Sequence, residues 1–196
     1  MGLGFSAEEF SLLSNQDILI TKRRIQKKIY TLLVSTHRQL NAVVNLHKSS
    51  LPREIISSTG KISKGENYLH LPYLILDYPA YFTKTDIFAF RTMFYWGNFF
   101  SATLHLQGSY LKKYRHNLHD NWSVLEKSGI YISCGETPWH YYYKPDNYVM
   151  LNQENKDKIL TDPFVKLSTK IDLADWRNLP VLSTNYLTSL IKMIDH

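Results

Sequence analysis

The run FAFRTMFYWGNFFSATLHLQ at residues 88–107 constrains this chain more than any other. Apolar residues recur at every second position on both sides of Gly97, the period of strands with one buried face. If Trp96-Gly97-Asn98 is a three-residue loop, Tyr95 pairs with Phe99, Arg91 with Thr103 and Ala89 with His105. One face then carries Phe88, Phe90, Thr92, Phe94, Phe100, Ala102, Leu104 and Leu106. The other carries Ala89, Arg91, Met93, Tyr95, Phe99, Ser101, Thr103 and His105. A two-residue Gly97-Asn98 turn would set Arg91 opposite Leu104 and mix both faces, because a one-residue slip moves every side chain across the sheet. The pattern therefore selects the odd-length loop, with Gly97 free to take a positive φ.

The flanking sequence supplies helices. Ser6-Ala7-Glu8-Glu9 has capping-box spacing and predicts a short helix to about Leu13. Ile18, Ile25, Ile29, Leu32, Thr36, Leu40 and Val43 form one stripe at steps of three, four or seven, so a long helix is expected from about Asn15 to Lys48, ended by Ser49, Ser50 and Pro52. Residues 51–67 read as a loop with one short strand near its end. Tyr68–Tyr78 reads as a strand in which Pro72 favours an edge position or a start at Tyr73. Leu111, Tyr114, Leu118, Trp122 and Leu125 predict a helix closed at Ser128-Gly129, and Ile130–Cys134 a short strand. Tyr141–Lys144 and Tyr148–Leu151 flank the turn signal Pro145-Asp146-Asn147 and suggest a second hairpin. Residues 152–182 are less patterned: NQENKDKILTDPF is briefly helical and VKLSTKIDL strand-like. A last helix is expected from about Ser183, burying Leu187, Leu190, Ile191 and Ile194.

Consecutive strands joined by tight turns specify an antiparallel sheet rather than βαβ winding. The expectation is a single α+β domain over residues 1–196, mostly antiparallel, with the long N-terminal helix packed on one face. A length of 196 residues suits one domain with a real core, and 44% hydrophobic against 20% charged residues argues against disorder. Cys134 is the one cysteine, which excludes an intramolecular disulfide and fits a reducing, cytoplasmic compartment. No apolar run approaches the ~20 residues of a membrane helix, so a soluble chain with no membrane partner is expected. Met1-Gly2-Leu3-Gly4-Phe5-Ser6 fits the loose myristoylation pattern, which is short enough to arise by chance.

The polar hairpin face is the best place for a site. Arg91 could anchor a small anion, since a guanidinium forks onto carboxylate or phosphate. Tyr95, Trp96, Ser101, Thr103 and His105 would line that ligand site, and in an enzyme His105 would be acid or base with Arg91 as electrostatic clamp. A solvated sheet face is the plainer account, but Met93, Tyr95, Trp96 and Phe99 are too apolar to be comfortable in water. No catalytic residue can be assigned.

Other candidates are weaker. His116, His119 and Asp120 share one side of a helix but lack a zinc pattern, so no metal and no cofactor is expected. The cluster Lys22, Arg23, Arg24, Lys27, Lys28 could grip phosphates, yet no nucleic-acid motif accompanies it and a solvated helix face accounts for it as well. The net charge of +6 is uneven, at +7 over residues 1–125 and −1 over 126–196. Tyr141-Tyr142-Tyr143 could stack a base or sugar but more often marks sheet packing. Cys134, alternating with Ile130 and Ile132, reads as a small buried hydrophobe rather than a nucleophile. Asn121-Trp122-Ser123 matches a glycosylation triplet inside an expected helix and is discounted. The oligomeric state is not legible.

Residues Ile62–Tyr68, Leu71-Pro72-Tyr73, Leu76-Asp77-Tyr78-Pro79 and 88–106 resemble a family of uncharacterised Bacteroidota proteins of similar length. The resemblance is clearest over residues 62–108 and implies a bacterial, cytoplasmic protein with no activity attached. Gly4-Phe5-Ser6-Ala7-Glu8-Glu9-Phe10 resembles the opening of another such bacterial family.

Overall fold

A computed structural model describes residues 4–195. The chain folds as one α+β unit around a seven-stranded antiparallel sheet. Helices α1 (Ala7–Leu13), α2 (Gln16–Leu46) and α3 (Arg53–Ile56) precede strands β1 (Lys61–Tyr68), β2 (Leu71–Phe82), β3 (Ile87–Tyr95) and β4 (Phe99–Gln107). Helices α4 (Ser109–Asp120) and α5 (Trp122–Lys127) follow, then β5 (Tyr131–Ser133), β6 (Tyr148–Met150), α6 (Lys158–Thr161), β7 (Phe164–Ile171), a 3-10 segment Leu173–Asn178, and α7 (Leu179–Ile194). The spatial order is β1-β2-β3-β4-β7-β5-β6. The myristoylation pattern begins at Met1–Leu3, outside the described residues.

The hairpin register is the one its alternation requires. Tyr95 pairs with Phe99, Arg91 with Thr103 and Ala89 with His105, and Gly97 sits in the loop at φ +68°. The apolar face packs under α2 and α7: Phe88, Phe90, Phe94, Phe100, Ala102, Leu104 and Leu106 share one core with Leu33, Leu40, Leu187, Leu190 and Ile191. Both chains of the hairpin are buried along nearly their whole length, so β3 and β4 are central strands covered on two sides. The long helix starts at an Asn15 cap, whose side chain accepts from the Asp17 N–H, and the Ser6–Glu9 capping box of α1 is formed in both directions.

Several sequence expectations need correction. β2 is an interior strand, because residues 61–68 form β1 and take the edge. Pro72 is tolerated there because the last β2–β3 pair is Tyr73–Tyr95, so its missing N–H falls beyond the ladder while its carbonyl still accepts from Trp96. The expected second hairpin is not built from Tyr141–Lys144. β6 pairs with β5, and residues 134–147 between them are irregular. The single helix expected through Leu111–Leu125 is broken at Asn121 into α4 and α5. α7 begins at Leu179 rather than Ser183, since Pro180 at the first turn needs no N–H partner there. Among the described residues no helix is long and apolar enough to cross a membrane.

The loop conformation yields a direct test. Gly97→Ala is expected to lose about 1 kcal/mol, because a Cβ at positive φ is strained while nothing crowds the site. Gly97→Asn should lose less, since Asn tolerates that region. Urea unfolding of the two variants measures the difference.

Candidate functional site

The second face of the sheet is neither open nor wet. Residues 134–147 cross it, and their aromatic side chains close over the polar residues of β2, β3, β4 and β7. Sheet register builds the layer in rows. Asp77, Arg91, Thr103, Ser168 and Tyr131 are successive partners across five strands, and the neighbouring row holds Ala89, His105 and Lys166. Adjacent members of a row stand ~5 Å apart.

Arg91 forks onto Asp77 through Nε–Oδ1 at 2.6 Å and Nη2–Oδ2 at 2.8 Å. Its guanidinium carbon lies 4.8 Å from the Tyr141 ring centroid. Burial by itself would lower the Arg91 pKa, but the Asp77 hydrogen bonds and charge outweigh it and raise the value. The sequence-predicted anion anchor is thus already held by an internal carboxylate.

Lys166 is the cation that sequence reading missed. It is fully buried, donates to the His140 carbonyl, and stacks between the rings of Tyr141 at 4.6 Å and Tyr148 at 4.8 Å. Burial, reinforced by the positive charge of Arg91, pulls its pKa down to about 7. No carboxylate pairs with it among the described residues. The strand alternation Lys166, Ser168, Lys170 was a usable signal, but nothing in the sequence said that β7 lies beside β4.

His105 stands next to Lys166 across that pairing, with Trp139 and Phe164 edge-on at 5.8 and 6.2 Å. Burial first, then the charges of Lys166 and Arg91, lower its pKa to about 3. Neither ring nitrogen makes a well-formed hydrogen bond, although the Gln107 side chain is near enough to favour the protonated ring slightly. The imidazole is neutral at physiological pH, which deprives it of the near-neutral titration a general base needs.

The remaining predicted residues divide. Thr103 and Ser168 share a 2.6 Å hydrogen bond, and Ser168 meets the Tyr143 hydroxyl at 2.5 Å, so Thr103 belongs to a buried hydroxyl chain. Ser101 lies on the same face, opposite Lys170, and its hydroxyl faces Tyr143 without a well-formed bond. Tyr95 is two rows from Arg91, donates to the Tyr68 carbonyl and packs on Tyr68 and Phe99. Trp96 is not part of this layer. It packs edge-to-face on Phe94 and joins the helix-side core. The layer therefore brings together Arg91, Ser101, Thr103 and His105, keeps Tyr95 at its rim and leaves Trp96 outside.

The cover is fastened at a few points. The Tyr141 N–H donates to the Tyr68 hydroxyl at 2.6 Å, Lys166 holds the His140 carbonyl, and Asn147 Nδ2 reaches the Tyr142 carbonyl at 2.6 Å. At Gly135, where the two ends of the segment meet, a Cβ would lie 2.8 Å from Asn147 Oδ1 and would push that side chain aside. Tyr143 packs on Phe99, Tyr131 and Tyr148. Cys134, half-buried rather than core, donates from Sγ to the Pro145 carbonyl, and burial raises its pKa, which leaves it a thiol and a poor nucleophile.

The other sequence candidates stand apart. Lys22 is paired with Glu66 at 2.5 Å, while Arg23, Arg24, Lys27 and Lys28 are exposed on α2. His119 contacts Asp157 at 2.9 Å and Asp120 at 3.5 Å. Among the described residues no group of three His, Cys, Asp or Glu side chains is placed to hold a metal ion. The chain matches no protein-family model, no curated protein and no solved structure.

Two consequences are measurable. Asp77→Asn should destabilise by about 3–5 kcal/mol, because it strands a buried guanidinium, whereas Asp77→Leu combined with Arg91→Met should recover most of that loss. His105 takes up a proton at pH 6.5 when unfolded but near pH 3 when folded, so stability is expected to fall as pH drops from 6.5 toward 3. His105→Gln should flatten that slope in urea titrations across this range.

Proposed function

We propose that this is a cytoplasmic, non-enzymatic binding protein that takes up a small anion beneath the 134–147 segment. One observation carries the reading: Lys166 is fully buried and Arg91 largely so, and the layer they share holds one carboxylate, Asp77, which spends both oxygens on Arg91. A buried ammonium without a counter-charge is costly, and an anion at Lys166 would offset that cost. His105, Thr103 and Ser168 stand within the same two rows and offer hydrogen-bonding groups to a carboxylate or phosphate oxygen. Entry requires the cover to move. Its irregular backbone forms no ladder with the sheet over most of its length, which makes its displacement cheap compared with that of a strand. The lone Cys134 supports the reducing compartment.

An enzyme with His105 as acid or base is less well supported, since its environment holds it neutral far below physiological pH. Nucleic-acid binding through Arg23, Arg24, Lys27 and Lys28 rests on charge alone.

A panel of small anions (phosphate, sulfate, acetate, succinate) added to the protein tests the proposal. At least one is expected to raise Tm in a saturable way at constant ionic strength, and Lys166→Met to abolish that rise. A flat response across the panel, or equal stabilisation of Lys166→Met, refutes it. Lys166 also predicts a pH signature. Its folded pKa of about 7 lies below the unfolded 10.5, so the unfolded chain holds the extra proton between those values. Stability should therefore rise from pH 7 to about 10, by up to ~1.4 kcal/mol per pH unit, and a bound anion should reduce that rise by favouring the charged ammonium.

A further inference from the structure

The N-terminal half of α2 is tied to β1 by Lys22 and Gln26 on Glu66, but part of its apolar stripe is left uncovered. Leu33, Thr36, Leu40 and Val44 are fully buried, but Ile25, Ile29 and Leu32 are only half-buried, and between them and the hairpin tip lies a cavity of about 540 Å³. Its floor is an aromatic row: Phe94 meets Trp96 edge-to-face at 5.8 Å and Phe100 at a tilt at 5.2 Å. Trp176, from the 3-10 segment, forms the far wall, and Gly97 contributes no side chain at the mouth. The size and lining are those of small-molecule sites, which are mostly apolar with a few polar groups that fix orientation.

The charge at this cavity is one-sided. Lys28 is its one charged lining residue and is exposed, with no ion pair among the described residues. The guanidinium of Arg177 lies 4.7 Å from the Trp176 ring but does not line the cavity. The acidic residues of the same segment, Asp172 and Asp175, line a different cavity with Tyr186 and Ser189. An apolar trough with an unpaired ammonium at its rim matches an acyl chain that ends in a carboxylate.

We infer that the groove between α2 and the β3–β4 loop binds a free single-chain anionic amphiphile, with the chain along Phe94, Trp96 and Phe100 and the carboxylate at Lys28. The site is separate from the buried polar layer and does not depend on it. Trp96, which sequence reading grouped with Arg91, has its role here.

The probe is dodecanoate below its micelle concentration, with dodecanol as the uncharged control, followed by tryptophan emission and calorimetry on the whole protein. Dodecanoate is expected to bind one-to-one with a blue shift that Trp96→Phe diminishes. Lys28→Glu should weaken dodecanoate about five- to tenfold and leave dodecanol unchanged, the scale of reversing one partly exposed ion pair. Ile29→Trp, which fills the trough, should abolish both, with far-ultraviolet circular dichroism confirming the fold. Lys166→Met should bind dodecanoate normally, so failure of the polar-layer proposal leaves this one standing. The inference is overturned if dodecanoate does not bind, or if it binds equally well to Ile29→Trp. It is also overturned if the protein associates with phosphatidylglycerol vesicles but not with monomeric dodecanoate, or if self-association covers Trp96 and excludes the probe.

Discussion

The pairing of β3 with β4 sets everything else in this molecule. Because side chains alternate, one register supplies two faces of opposite character: a run of Phe, Leu and Ala for the helices, and Arg91, Ser101, Thr103 and His105 for the other side. A slip of one residue would turn one strand over against the other, placing either the Arg91 guanidinium or the His105 imidazole against α2 and α7 and turning Phe90 or Phe100 away from them. The three-residue loop fixes that choice locally, and burial on both sides enforces it globally.

The polar layer then becomes an electrostatic problem solved unevenly. Asp77 matches Arg91 with a two-point hydrogen bond, and Tyr141 roofs the guanidinium. Lys166 receives a carbonyl and two aromatic faces, which favour a cation without neutralising it. Its charge in turn depresses the basicity of His105. Burial and the neighbouring positive charges thus act in the same direction on both groups, lowering the pKa of Lys166 and of His105.

On the helix side the same hairpin ends in a loop that lifts Trp96 away from the polar residues and toward α2. The apolar stripe of the helix is only half covered there, and Trp96 is half-buried where Phe94 and Phe100 are core. A single loop thus separates two environments: a sealed polar layer on one face and an open apolar trough on the other.

Periodicity made the local elements legible. The long α2, the hairpin and its register, the helical stripe from Leu111 to Leu125 and the apolar face of α7 are all written in spacings of two or of three and four. Those signals are short-range, because they arise from how successive side chains leave one backbone. What they could not convey is which elements become neighbours. Only the tertiary structure brought β7 beside β4, which put Lys166 next to His105, and only it drew Asp77 onto Arg91 and residues 134–147 over the sheet. Trp96 shows the limit most plainly. Its place in the sequence is beside Tyr95, but its side chain is packed with Phe94, because a loop residue obeys the nearest core rather than the strand's alternation. The chain's own sequence determined two faces and their contents; long-range packing decided which face was sealed, which charges were paired and where a ligand could reach.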